Sequence, residues 1–231
     1  MKLENIKVIY EDNHLLAVEK PVNVLSQGDN TEDPDMLTLL KEYIKVKYDK
    51  PGNVYMGLVH RLDRPVGGVM VFAKKSKAAS RLSDQIRKRE FKKVYITVVR
   101  GTPKNKKDTL EHYLLKDKRT NTVKVVSEST EGAKQAVLDY EVLASNEELS
   151  IVRVNLHTGR PHQIRVQFSS IGCPVYGDQK YGAHINKPGQ QIALWSYEIT
   201  CSHPTKKDEV VFKSLPPDTR PWDKFTNVLL G

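Results

Sequence analysis

The sequence predicts an α+β fold: helices flanking a largely antiparallel sheet. Three observations point there. Strand-like runs outnumber helical ones along the chain. Several of them follow one another with no helix between. The strand–helix alternation that a parallel sheet demands is therefore absent. The 231 residues, 39% hydrophobic and 28% charged, have the composition of a folded chain able to bury its own core.

Taken in order, residues 7–19 read as two short strands around Glu11-Asp12-Asn13, followed by the loop Lys20-Pro21-Val22-Asn23. Asp33 and Pro34 resemble an N-cap and a first helical residue, ahead of Leu37, Leu40, Ile44 and Tyr48 at helical spacing. Pro51-Gly52 ends that element. Residues 69–73 form a short apolar strand. Ser76 is placed to cap a second helix reaching about Glu90, with Ala79, Leu82 and Ile86 inward and Arg81, Arg87 and Lys88 outward. Residues 94–99 are rich in β-formers and stop at Gly101-Thr102-Pro103. Strands are predicted next over 111–115, 122–127, 135–143 and 150–156. A third helix begins at Pro161, with Ile164, Phe168 and Ile171 apolar and Gly172 just past its end. Strands over 192–200 and 209–212 close the chain. No internal repeat or low-complexity linker divides it, so one domain over residues 1–231 is expected.

Charge narrows the partners. Lys and Arg number 37 against 28 Asp and Glu, a formal net charge of +9. Thirteen basic residues fall between Lys74 and Lys107, opposed only by Asp84 and Glu90, whereas residues 1–50 are net acidic. Such a block is the footprint of a polyanion binder; the plainer alternative is a solvated helix face beside a basic loop. Two cysteines, Cys173 and Cys201, exclude a disulfide scaffold and a cysteine-rich zinc module. No apolar run nears the roughly 20 residues of a membrane span. The mixed, acidic start is unlike a secretory signal, so the cytoplasm is expected and no membrane partner.

Three stretches carry chemistry. In His60-Arg61-Leu62-Asp63-Arg64-Pro65 an acid stands between two arginines, and Gly67 and Gly68 allow a tight turn and a close ligand. A surface loop of charge pairs is the competing reading. In residues 157–165, His157-Thr158-Gly159-Arg160-Pro161-His162-Gln163-Ile164-Arg165, a strand meets a helix start, where free amides and a positive potential suit an anion. Arg160, His162, Gln163 and Arg165 add donors there. An ordinary amphipathic helix with its polar residues wet is the alternative. His157 and His162 fit no usual zinc spacing. Lys92, Lys93 and Tyr95 lie in a strand, with Lys93 and Tyr95 on one face, where a ring can stack on a base while amines meet phosphate. Plain packing of that tyrosine is the commoner outcome.

These segments together resemble the RluA-like family of RNA pseudouridine synthases. HRLDRPVGGVMVFAKKSKAA (60–79) is similar to the family's catalytic segment, LHTGRPHQIRVQF (156–168) to its second signature, and PVYGDQKYG (174–182) follows as in relatives. EKPVNVLSQ (19–27), FKKVYITVVRG (91–101) and ALWSYEITCSHP (193–204) also match in order. The chain departs at Val66 and Gly67, where the family has Thr and Ser, and at Asn23, where it has Gly. The match begins within the first twenty residues, so no separate N-terminal RNA-binding domain is expected.

The resemblance implies a pseudouridine synthase fold and isomerisation of uridine within structured RNA, ribosomal or transfer, to pseudouridine. It implies Asp63 as the catalytic carboxylate, Arg165 as the guanidinium that orients it, and Tyr95 as the ring on the uracil. Arg61 matches the residue that braces the place an extruded uridine leaves. His60, Arg61, Lys92, Lys93, Arg160, His162 and Gln163 become the expected RNA contacts, and the basic block makes binding salt-dependent. No cofactor or metal is implied, because the reaction is redox-neutral and adds no external group. A monomer is expected. Two alternatives stand beside this reading: a non-catalytic RNA-binding protein on the same scaffold, and a glycoside or nucleoside hydrolase, which commonly needs a second acid beside the first.

Overall fold

The computed structural model describes residues 6–31 and 33–230, and the fold is α+β, with every strand pairing detailed below antiparallel. The chain groups into two compact units. Residues 1–92 and 196–215 form the first, residues 93–195 and 216–231 the second.

In the first unit β1 (Lys7–Glu11) pairs with β2 (Leu15–Lys20), β2 pairs with β4 (Gly67–Ala73), and the two-residue β3 (Gly57–Leu58) also pairs with β4. Residues 196–202 belong to β10 (Leu194–Ser202), which runs beside β4 and carries β11 (Glu209–Lys213). All seven residues of β4 are buried, which its unbroken apolar run requires of a central strand. Leu15, Ala17, Val69, Val71, Leu82, Ile199 and Phe212 share one core.

Helix α1 (Met36–Lys47) buries Met36, Leu40 and Ile44, one every four residues. Its N-cap is Asp35, not Asp33; the Asp35 carboxylate accepts the Thr38 amide at 3.0 Å, while Asp33 pairs with Arg64 at 2.8 Å. The helix ends at Lys47, before Pro51, and Tyr48 is exposed rather than inward. Helix α2 (Ser76–Lys88) is capped by Lys75 without a side-chain bond, so Ser76 is its first helical residue and not its cap. Arg89, left-handed at φ 64°, stops it. Gln85 lies inward and bonds the backbone of Ser202 twice, at 2.8 and 2.9 Å, fastening α2 to β10. Ala79 and Ile86 are only partly buried.

In the second unit the strand order is β5 (Lys92–Arg100), β9 (Leu149–Leu156), β8 (Lys134–Ser145), β6 (Lys107–Asp117) and β7 (Thr122–Val126). Strand β8 alternates buried Ala136, Leu138, Tyr140 and Val142 with outward residues, as one-sided burial dictates. Helix α3 (Gln163–Ser170) starts two residues after Pro161, and Gly172 at φ 78° follows its last turn. A short 3-10 turn (Trp222–Phe225) and α4 (Thr226–Leu230) end the described chain and had no sequence signal.

The amphipathic alternative for α3 is overturned. Gln163 through Phe168 are all buried, polar residues included. Burial on this scale is tolerable because most polar atoms of the long side chains find partners, although Gln167 Oε1 has none among the described residues. The Gln167 amide, for example, donates to the carbonyls of Leu110 and Ala136 at 3.0 and 3.2 Å.

Candidate active site

The candidate residues divide between the units: His60, Arg61, Asp63 and Lys92 in the first, Lys93, Tyr95, Arg160, His162, Gln163 and Arg165 in the second.

In the first unit Asp63 is half-buried in the loop between β3 and β4, and its backbone is held on both sides. The Asp63 carbonyl accepts the Val66 amide at 3.0 Å. Ser26 Oγ donates to the Leu62 carbonyl at 2.8 Å and accepts the Leu62 amide at 3.1 Å. On the other side Lys20 Nζ donates to the Arg64 carbonyl at 3.1 Å, and also to Pro21 and Val24 carbonyls at 2.9 and 2.6 Å. The Arg64 guanidinium turns to the Asn23 carbonyl and Asp33. The 19–27 segment is thus a cradle for the acid-bearing loop. Asn23 occupies a left-handed φ of 64°, which suits the glycine usual there and which asparagine tolerates.

Gly68 answers a different need from the one anticipated. At φ 112°, a Cβ there would stand 2.3 Å from the Ser196 carbonyl oxygen, so the glycine admits the chain's own β10, not a ligand. His60 Nε2 accepts the Val71 amide at 3.0 Å, which requires that nitrogen to be unprotonated. Arg61 is exposed and makes no ion pair among the described residues.

Lys20 is the residue sequence reasoning missed. It is fully buried, and burial pushes its ammonium down to about 7, with the Asp63 charge acting in the opposite sense and Arg64 adding to the depression. Between about 7 and the ordinary value of 10.5 the unfolded chain holds more protons than the folded one. Stability from this group therefore rises with pH through that window and is flat below it. Lys20→Met should remove that rise, worth on the order of 5 kcal/mol across the window. Urea unfolding from pH 6 to pH 10 checks this, and an equally steep climb in the variant would refute it.

In the second unit Tyr95 is buried on β5, opposite Val154. Lys93 is half-buried, its Nζ 3.1 Å from where a Gly159 Cβ would lie, and burial lowers its pKa. Lys92 is exposed. Arg160 Nε donates to the Gln135 carbonyl at 2.8 Å. Gln163 faces inward: its Oε1 accepts Thr158 Oγ1 and the Arg160 amide at 2.8 and 3.0 Å, and its Nε2 donates to the Val137 carbonyl at 3.1 Å. It is a brace for the turn into α3. His157 pairs with Asp139 at 2.6 Å.

Arg165 is 6% exposed and doubly bonded to Asp178, itself 1% exposed: Nε to Oδ2 at 2.7 Å and Nη2 to Oδ1 at 2.9 Å. Asp178 Oδ1 also accepts the amides of Lys180 and Tyr181. The residue before it, Gly177 at φ 76°, lets the chain come so near Gln191 that a Cβ would stand 2.2 Å from its carbonyl oxygen.

Residues 14–170 match the protein family described as RNA pseudouridylate synthase. The chain belongs to this family. An Aquifex aeolicus protein named as an RNA pseudouridine synthase is 34% identical over 95% of this chain and 72% of its own length. The Borreliella burgdorferi ribosomal large subunit pseudouridine synthase D is 31% identical over 77% of this chain and 55% of its own. Among solved structures, human RNA pseudouridylate synthase domain containing 4 aligns with a TM-score of 0.79 at 21% identity, covering 97% of this chain and 93% of that one. It supports the pseudouridine synthase fold. Members of the family are isomerases, and the ordered segments read from the sequence lie largely within the matched span.

Proposed function

We propose that this chain converts specific uridines in structured RNA to pseudouridine, with Asp63 as the catalytic carboxylate. Membership of the pseudouridylate synthase family carries the reading. The reaction breaks the N1–C1′ bond, turns the uracil and joins C5 to C1′; the C5 proton leaves and N1 ends protonated. A carboxylate can attack the sugar, stabilise positive charge on it or accept one of its protons. The family resemblance assigns Arg165 to orienting Asp63 and Tyr95 to packing on the uracil. It assigns Arg61 to bracing the place left by the flipped nucleotide; the exposure of its guanidinium is compatible with that.

Lys92, Lys93, Arg160 and His162 remain the proposed RNA contacts. Gln163 braces the turn that carries Arg160 and His162, and His60 accepts the Val71 amide of β4. Within the basic block Lys75, Lys77, Arg89, Lys92, Lys104 and Lys106 are exposed and form no ion pair among the described residues, which leaves them to phosphates. Arg81 and Arg100 are instead turned to Pro204 and Asn186. The name of the Borreliella relative makes large-subunit ribosomal RNA the first substrate to try.

The test is product analysis after incubating the protein with such RNA, prepared without pseudouridine. Pseudouridine is the expected product. Free uracil would establish a hydrolase. Binding with no product on ribosomal or transfer RNA would establish a non-catalytic binder.

A further inference from the structure

We propose that Tyr181 is a positioning residue for this reaction: its hydroxyl fixes the His162 imidazole while its ring backs the Arg165 guanidinium. The inference rests on the pseudouridine synthase reading and extends it to a residue outside every role assigned above.

Tyr181 is itself firmly held. Its amide donates to Asp178 Oδ1 at 3.2 Å, so the carboxylate that clamps Arg165 also sets where the tyrosine begins. Its carbonyl accepts Ser169 Oγ from the last turn of α3 at 2.7 Å. Its ring packs against the core of Leu114, Val123, Ala136 and Val166. The Arg165 Cζ lies 5.2 Å from the ring centroid, within cation–π range.

The hydroxyl does something packing alone does not require. It accepts the Val123 amide of β7 at 2.9 Å and stands 2.6 Å from His162 Nδ1. An amide can only donate, so the phenolic oxygen is the acceptor there; with Nδ1 at 2.6 Å, we assign the phenolic proton to Nδ1. The imidazole proton then resides on Nε2, a donor suited to an acceptor oxygen of the RNA. The His162 and Tyr181 rings meet edge-on, 5.6 Å apart at 65°. His162 also carries a left-handed φ of 51° at the N-cap of α3, with no side-chain cap bond. Histidine is one of the few non-glycine residues that enter this region readily, and the Tyr181 contact holds its ring there.

Tyr181→Phe keeps the ring over Arg165 and deletes only the hydroxyl. KM for a large-subunit ribosomal RNA transcript should rise about tenfold, with kcat falling less than threefold. Added to His162→Ala, it should cost nothing further, because both variants break the same contact. The ¹⁵N imidazole signals of His162 should leave the Nε2–H tautomer in Tyr181→Phe. Unchanged KM, a full second penalty in the double variant or an unaltered tautomer would each overturn the proposal. Should the Phe variant fail to fold, His162→Asn approaches the bond from the other end. Its side-chain oxygen accepts the same proton, so it should hold KM nearer wild type than His162→Ala; equality of the two would also overturn the proposal. A wild-type protein that makes no pseudouridine defeats the functional reading separately, and the tautomer comparison still decides the role of the Tyr181 hydroxyl.

Discussion

Asp63→Asn should lower pseudouridine formation by at least roughly 10³-fold, about 4 kcal/mol of transition-state stabilisation, while RNA affinity stays within about tenfold. The amide matches the carboxylate in shape but lacks its charge and its basicity, which are the properties each proposed role of the acid uses. The fold should survive. The neighbours of Asp63 are fastened through their backbones, by Ser26 at Leu62 and by Lys20 at Arg64, and these bonds do not involve the substituted atoms. A second consequence follows from Lys20. The Asp63 charge raises the Lys20 pKa against its burial, so its loss should push that ammonium below about 7 and start the rise of stability at a lower pH. Single-turnover assays give the rate and filter binding the affinity. Equal product from both proteins would remove Asp63 as catalyst; a loss of affinity far beyond tenfold would make it mainly a binding residue.

Local pattern carried most of the fold. The apolar run of β4, the alternation of β8 and the four-residue spacing of α1 each reflect which side of an element is buried, and that is written in consecutive residues. Caps were less legible because Asp33 and Asp35 offer the same chemistry two residues apart. Only the approach of Arg64 to Asp33 and of the Thr38 amide to Asp35 separates them. Within the candidate site, the residues of the two signatures were readable, but their polar partners were not. Lys20 meets the Arg64 carbonyl across 44 positions, Tyr181 meets Val123 across 58, and Arg165 meets Asp178 across 13. Periodicity says that a side chain turns inward; it does not say which buried oxygen it will find. The Lys20-Pro21 pair and the Gly177-Asp178 turn were visible as family segments, but their neighbours, Glu19 before Lys20 and Gln179-Lys180 after Asp178, did not mark either charge as buried.

Asp178→Ala should destabilise the protein by about 3–5 kcal/mol and abolish activity, although Asp178 has no proposed contact with RNA. Arg165 and Asp178 are nearly inaccessible, so water cannot replace the two N–H···O bonds that the substitution removes. Asp178 Oδ1 also satisfies two backbone amides, which lose their acceptor and loosen the turn that carries Tyr181. Much of the cost comes from leaving a guanidinium in a dry place without that carboxylate, and this makes an unusual outcome predictable. Adding Arg165→Met to Asp178→Ala should recover part of the lost stability, because it removes a buried guanidinium that has lost its Asp178 bonds and keeps the apolar stem. Activity should not return, since Arg165 is the residue proposed to orient Asp63. Urea unfolding of the single and double variants, with activity measured well below each transition, separates the two effects. A double variant less stable than Asp178→Ala would mean that Arg165 stabilises the fold by packing rather than by its pair. Full activity in the single variant would show that the orientation of Arg165 does not depend on Asp178.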